Sequence, residues 1–217
     1  VETPQTETTP FNPQSPYAVS KQFAHSLAIN YRQSYNLFVS NGVLFNHESP
    51  RRGETFVTRK VTISLGRFLR GKSGPIQLGN LDAKRDWGHA RDFVKAQWLI
   101  LQHNKADDFI IATGKQYSVR DFVNATCNKL GLQLDWRGTG ENEIAVIKSV
   151  FNPKLQSENF LDKTIVQVNK TYFRPSDVET LLGDYTKAKN VLGWFPETDL
   201  TTLINEMLLE DAREFIL

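Results

Sequence analysis

The sequence predicts an α/β fold, and two observations carry the prediction. Short apolar or β-branched stretches alternate with segments of helical periodicity along the chain. The first long helical segment leads by a short connection into the largely apolar run NLFVSNGVLF, and helix then strand is half of a crossover unit.

Ser15 can cap a helix whose first residue is Pro16, where a missing N–H costs nothing; apolar spacing then runs through Val19, Phe23, Leu27 and Tyr31 to about Tyr35. NLFVSNGVLF suits a buried parallel strand, and NHESPRRG breaks the pattern. From Thr55 a second helix places Phe56, Val61, Leu65, Phe68 and Leu69 on one side before GKSG ends it. PIQLG reads as a short strand, NLDAKRDWGHARD as a polar loop, FVKAQWLILQ as a helix and DFIIAT as a strand. Ser118 with Asp121 forms a capping-box pattern ahead of FVNATCNKLG, closed by Gly131, and LQLDW is another strand candidate. GTGENEI has two closely spaced glycines but no suitable helix after it, so it reads as a loop. DYTKAKNVLG is a helix closed by Gly193, and LTTLINEMLLEDAREFI is an amphipathic terminal helix.

At 217 residues and 40% hydrophobic, the chain can bury a real core. Its 26 Lys+Arg against 24 Asp+Glu give no general nucleic-acid signature, so any anion site is local. A single cysteine, Cys127, rules out an internal disulfide framework, and no apolar run approaches the roughly 18 to 20 residues of a membrane span. These features predict a soluble, cytoplasmic protein without nucleic-acid or membrane partners. The first residue is Val1, the only methionine is Met207, and the opening VETPQTETTPFNP reads as a loop, which predicts the carboxy-terminal portion of a longer protein. No glycine-rich G-x-x-G-x-x-G stretch lies between a strand and a helix, so a dinucleotide-binding half is expected upstream.

Tyr17 and Lys21, four positions apart, share one helix face. A free tyrosine, with a pKa of about 10, is a poor base near neutral pH; a nearby ammonium favours the phenolate. The lysine can also donate to ribose hydroxyls. The same pair occurs as two polar residues on many exposed helices, and spacing alone leaves both readings open.

Tyr17-Ala-Val-Ser-Lys21 resembles the Y-x-x-x-K signature of the extended short-chain dehydrogenase/reductase superfamily. NGVLFNHESPRRGETFVTRKVT, LGNLDAKRDWGHARDFV, FIIATGKQYSVRDFV and YFRPSDVETLLGDYTKAKNVLGW resemble, in order, the GDP-mannose 4,6-dehydratase family over nearly the whole chain. The resemblance implies the carboxy-terminal part of a Rossmann-type fold, here residues 1–50, and a smaller α/β sugar-nucleotide domain formed mainly by 51–217 with short returns to the Rossmann-type sheet. It also implies NADP as cofactor, GDP-mannose as substrate and a homo-oligomer. Tyr17 would take the proton of the sugar C4 hydroxyl and Lys21 would hold the nicotinamide ribose. His47 and Arg52 match cofactor-contacting positions, and Asn46 matches a substrate-contacting one. Lys60, Arg85, Arg174 and Glu179 are further candidates for the GDP moiety, and no metal ligand is expected.

Two adjacent arginines after a turn, at the carboxyl end of a strand, independently suit phosphate capture, although a solvated basic loop has the same composition. Glu2, Thr3, Thr6 and Glu7 do not reproduce the family's Thr-x-Glu pattern, so those roles are not transferred, and the chain by itself is expected to be catalytically incomplete. Two rival readings are a non-catalytic nucleotide-sugar-binding or assembly subunit and a related epimerase or reductase.

Overall fold

Helix α1 (Pro16–Tyr35) begins where the sequence predicts. The Ser15 hydroxyl accepts from the Ala18 amide at 3.1 Å, Pro16 occupies the first turn, and Asn36 ends the helix with φ 52°. The computed structural model describes residues 2–173 and 178–217. The predicted apolar stripe of α1 is not core: Val19, Phe23, Leu27 and Tyr31 are exposed, and the helix has no buried residue. Strand β1 (Asn41–Leu44) pairs in parallel with β6 (Asp108–Ile111), from Asn41 opposite Asp108 to Leu44 opposite Ile111. The expected buried strand is shorter than its apolar run and only partly buried, because β6 is its sole sheet neighbour among the described residues.

The described residues gather into two compact units. The first holds those of 1–47, 84–116 and 176–199, and the second those of 48–83, 117–175 and 200–217. Short strand β2 (Asn46–Glu48) carries the chain from the first set into the second.

In the first unit, α3 (Ala90–Gln102) and α5 (Thr186–Leu192) sit with β1 and β6 around Phe93, Ala96, Ile100, Phe109, Ile111, Ala188 and Trp194. Trp194 donates its indole N–H to the Asp92 carbonyl at 2.9 Å, so its bulk is buried without an orphaned donor. Gly193 closes α5 with φ 65°, as its position predicts. The segment expected to be a polar loop departs from expectation: it contains β4 (Lys84–Arg85) and β5 (Trp87–His89), and Asp86, Trp87 and His89 are buried. The polar groups of its buried residues are satisfied internally, while Asp82, Lys84 and Arg91 are exposed. Asp86 accepts from the Thr113 amide at 2.8 Å, the Thr113 hydroxyl at 2.7 Å, the Gly114 amide at 3.0 Å and the Gly183 amide at 3.4 Å. His89 caps α3 by accepting from the Arg91 amide at 3.0 Å.

The second unit is a four-stranded sheet in the order β3 (Ile76–Leu78), β10 (Thr164–Val168), β9 (Ile144–Val150), β8 (Leu132–Arg137). β3 and β10 are parallel; the other pairs are antiparallel. Two-residue β7 (Tyr117–Ser118) leads into α4 (Val119–Lys129), whose Ser118–Asp121 capping box is present in full. α2 (Val57–Leu69) and α6 (Leu200–Asp211) complete the unit and pack against each other. Their contact is close enough that a Cβ on Gly66 would lie 2.4 Å from the Asp211 carbonyl oxygen. α2 starts two residues later than predicted, because Phe56 sits at its cap and not on its core side. α6 stops at Asp211 instead of running on to Ile216, and a 3-10 turn over Arg213–Phe215 follows.

Asp86→Ala leaves several buried backbone N–H groups without an acceptor and is expected to cost about 3 kcal/mol or more. Urea denaturation measures it; a loss below about 1 kcal/mol would mean that water replaces the carboxylate.

Candidate functional site

Spacing of four along α1 turns Tyr17, Lys21 and His25 to one side, and all three line a cavity of about 670 Å³ in the first unit with Phe11, Asn41, Gly42 and His47. Lys21 Nζ lies 5.4 Å from the centre of the Tyr17 ring, and Tyr17 is 71% exposed. The His47 ring stacks on Phe93 with centroids 4.9 Å apart. Its Nδ1 is 2.9 Å from the Phe45 carbonyl, which can only accept, so Nδ1 carries a hydrogen and Nε2 is the nitrogen left to face a ligand.

The helix is fixed by its polar side. Arg32 donates to both oxygens of Asp108, at 2.8 and 3.1 Å, and the Asn41 side chain and amide donate to the same carboxylate at 2.9 and 3.2 Å. Burial alone would raise the Asp108 pKa, but the hydrogen bonds from Arg32 and Asn41 outweigh it and hold the carboxyl below its usual range. His25 approaches the same carboxylate at 3.6 Å and meets the Phe11 ring edge-on at 4.7 Å.

Of the residues singled out from the sequence, Tyr17, Lys21 and His47 share this cavity, and Asn46, half-buried at the start of β2, is not among its lining residues. Arg85 and Glu179 lie on adjoining backbone segments, where the Lys84 amide donates to the Glu179 carbonyl at 2.8 Å and Lys84 bridges to Thr180. Arg85 also donates to the Lys84 carbonyl at 2.9 Å. Arg174 lies outside the described residues. Arg52 and Lys60 belong to the second unit. Lys60 Nζ donates to the Gln77 carbonyl at 2.5 Å and sits 3.5 Å from the Tyr172 ring centre. Arg52 Nε is 3.2 Å from buried Glu48, whose pKa stays raised because burial outweighs the opposing Thr58 hydroxyl and Arg52. Cys127 is buried, and that burial pushes its thiol up to about 12, away from the thiolate a nucleophile requires.

Sequence reasoning missed His25, Phe11 and Asp108. His25 had a visible signal, since it follows Lys21 by four; Asp108 had none, because its partners are 76 and 67 residues away.

A protein-family model described as GDP-mannose 4,6 dehydratase matches residues 1–207. This chain belongs to the GDP-mannose 4,6-dehydratase family. The GDP-mannose 4,6-dehydratase of Vibrio cholerae serotype O1 is 52% identical over 213 residues, covering 98% of this chain and 57% of that protein. The GDP-mannose 4,6 dehydratase of Homo sapiens is 47% identical over 212 residues, covering 98% of this chain and 54% of that protein. The chain thus spans little more than half the length of its dehydratase relatives. A solved structure of RMD from Pseudomonas aeruginosa complexed with NADPH superposes with a TM-score of 0.74 at 19% identity, over 97% of this chain and 60% of that one, a likeness of fold. The α/β, Rossmann-type class expected for this dehydratase-family chain is borne out.

The depressed Asp108 pKa predicts a pH dependence. A carboxyl with a folded pKa below its unfolded value, 3.8, stabilises fully above that value, and the contribution is lost as pH falls through the folded pKa. Asp108→Asn is therefore expected to be less stable by about 1–3 kcal/mol near pH 7, with the deficit shrinking below about pH 4. Denaturant titrations of both proteins across this range check it; a deficit constant with pH would remove the carboxylate from the explanation.

Proposed function

We propose that this chain is part of a GDP-mannose 4,6-dehydratase, in which GDP-mannose becomes GDP-4-keto-6-deoxymannose with loss of water. The observation that carries the reading is the convergence of Tyr17, Lys21 and His47 on one cavity in a chain of this family. NADP is the cofactor proposed, and a volume of about 670 Å³ with a glycine, a lysine ammonium and a phenol on its wall fits a nicotinamide riboside. When bound, it would supply reversible hydride acceptance, from sugar C4 and back to C6, so that no net oxidation occurs.

The chain's own residues bind, orient and move a proton. Tyr17 Oη takes the C4 hydroxyl proton as a general base, and Lys21 Nζ donates to the ribose hydroxyls and supplies positive charge beside the phenol. His47, with Nδ1–H committed to the Phe45 carbonyl, offers Nε2 as an acceptor to a ligand hydroxyl. Arg52 and Lys60 are the proposed phosphate donors, Lys60 by exchanging its Gln77 carbonyl for the ligand, and Asn46, Arg85, Arg174 and Glu179 are assigned to the sugar nucleotide. The reading includes a homo-oligomer in the cytoplasm. A second reading, a nucleotide-sugar-binding subunit without turnover, is favoured by the 71% exposure of Tyr17, since a general base works best where water is excluded.

Calorimetric titration with GDP-mannose, UDP-glucose and NADPH, and mass spectrometry of the sugar nucleotide, tests both. GDP-mannose is expected to bind more than about tenfold tighter than UDP-glucose, a difference of about 1.4 kcal/mol. Lys21→Met is expected to weaken NADPH binding by about 1.5–3 kcal/mol. Binding of GDP-mannose without loss of water is the outcome expected of a dehydratase part that is incomplete by itself, loss of water overturns that incompleteness and the second reading with it, and a preference for the UDP-sugar overturns both readings in favour of an epimerase-type activity.

A further inference from the structure

Glu48, Arg52 and Phe56 recur at intervals of four across the segment joining β2 to α2. Two turns shape it, with the Arg52 amide donating to Ser49 at 3.0 Å and the Phe56 amide to Gly53 at 3.1 Å. Glu48 is only 2% exposed, and its Oε2 accepts from the hydroxyl of fully buried Thr58 at 2.5 Å. The same oxygen lies 3.2 Å from Arg52 Nε, with the N–H not aimed at it, so the contact is an ion pair and not a hydrogen bond. On its flat side the guanidinium lies 3.6 Å from the Phe56 ring centre.

One edge and one face of the guanidinium are therefore set by neighbours, while its two terminal nitrogens make no hydrogen bond among the described residues. Other arginines of this unit differ. Arg59 is tied to Asp211 and to the Pro50 carbonyl, and Arg70 to Glu214 and the Asp211 carbonyl. Arg51, beside it in sequence, is exposed.

A free arginine side chain loses its rotamer freedom when it clamps a phosphate; one already held loses less, and its planar fork matches two phosphate oxygens. We propose that Glu48 and Phe56 are positioning residues that preset the Arg52 guanidinium to receive a phosphate group. The inference rests on the phosphate role proposed above for Arg52 and adds what makes that role efficient.

The test uses the 217-residue chain with nitrogen-labelled arginine, following the Arg52 Nε–Hε resonance, assigned by its loss in Arg52→Lys, during titration with inorganic pyrophosphate, NADPH and GDP-mannose. Pyrophosphate is expected to shift that resonance, and Glu48→Gln and Phe56→Leu are each expected to weaken its binding by about threefold to tenfold. In the Arg52→Lys background, Glu48→Gln is expected to add nothing, an outcome that a merely structural role would not produce. Phe56 is 49% exposed, so its replacement spares the core and decides the matter even where the Glu48 variant fails to fold. An unmoved resonance, unchanged affinity in Phe56→Leu, or an equal effect of Glu48→Gln in both backgrounds would overturn the proposal. A response to pyrophosphate but to neither nucleotide would leave the preset arginine standing and remove the dehydratase reading. A response to only one nucleotide identifies the source of the phosphate.

Discussion

Asp108 is the constraint on which the Tyr17 face depends. A helix that buries no side chain gains little from the hydrophobic effect, so something other than apolar contact must hold α1 in register with the strands beside it. The Asp108 carboxylate does so by taking a two-point grip from Arg32 and two more hydrogen bonds from Asn41, thereby joining α1, β1 and β6 at one residue. The direction in which Tyr17 and Lys21 project follows from that grip. A paired, partly buried carboxylate of this kind contributes mainly by being fully satisfied, since removing one partner strands the others.

The same device recurs in the first unit. Asp86 gathers amides from Thr113, Gly114 and Gly183, and Asp92 accepts from the amides of Glu197 and Thr198. Each carboxylate substitutes for the regular ladder in irregular backbone, where buried N–H groups would otherwise be orphaned. This is why Asp86, His89 and Asp92 of the polar stretch NLDAKRDWGHARD lie inside, while Asp82, Lys84 and Arg91 stay exposed.

That stretch also marks the limit of what was legible in the sequence. Local signals read correctly: Ser15 with Pro16, the Ser118–Asp121 box and Gly193 each act within a few residues, and the structure bears them out. Spacing of four placed Tyr17 and Lys21 on one face. What depended on distant partners was hidden. The Asp108 contacts, the burial of Asp86, and strands β9 and β10, whose pairing gives them their identity, span separations that no local pattern reports. Apolar periodicity misled at Val19, Phe23, Leu27 and Tyr31, because it records that a face is apolar and not whether anything in the described chain covers it.

The interleaving of the two sets of residues bears on how the molecule is made. The second unit is finished by α6: Leu203, Ile204, Met207 and Leu208 are buried, and Asp211 receives Arg59 and Thr62 from α2, a separation of 149 residues for the Thr62 contact. The core begun near residue 57 therefore stays incomplete until α6 has been synthesised, well after α2 has emerged. A loop this long imposes its closure entropy before the contact between α2 and α6 rewards it, so the rate at which this unit forms is set by chain topology.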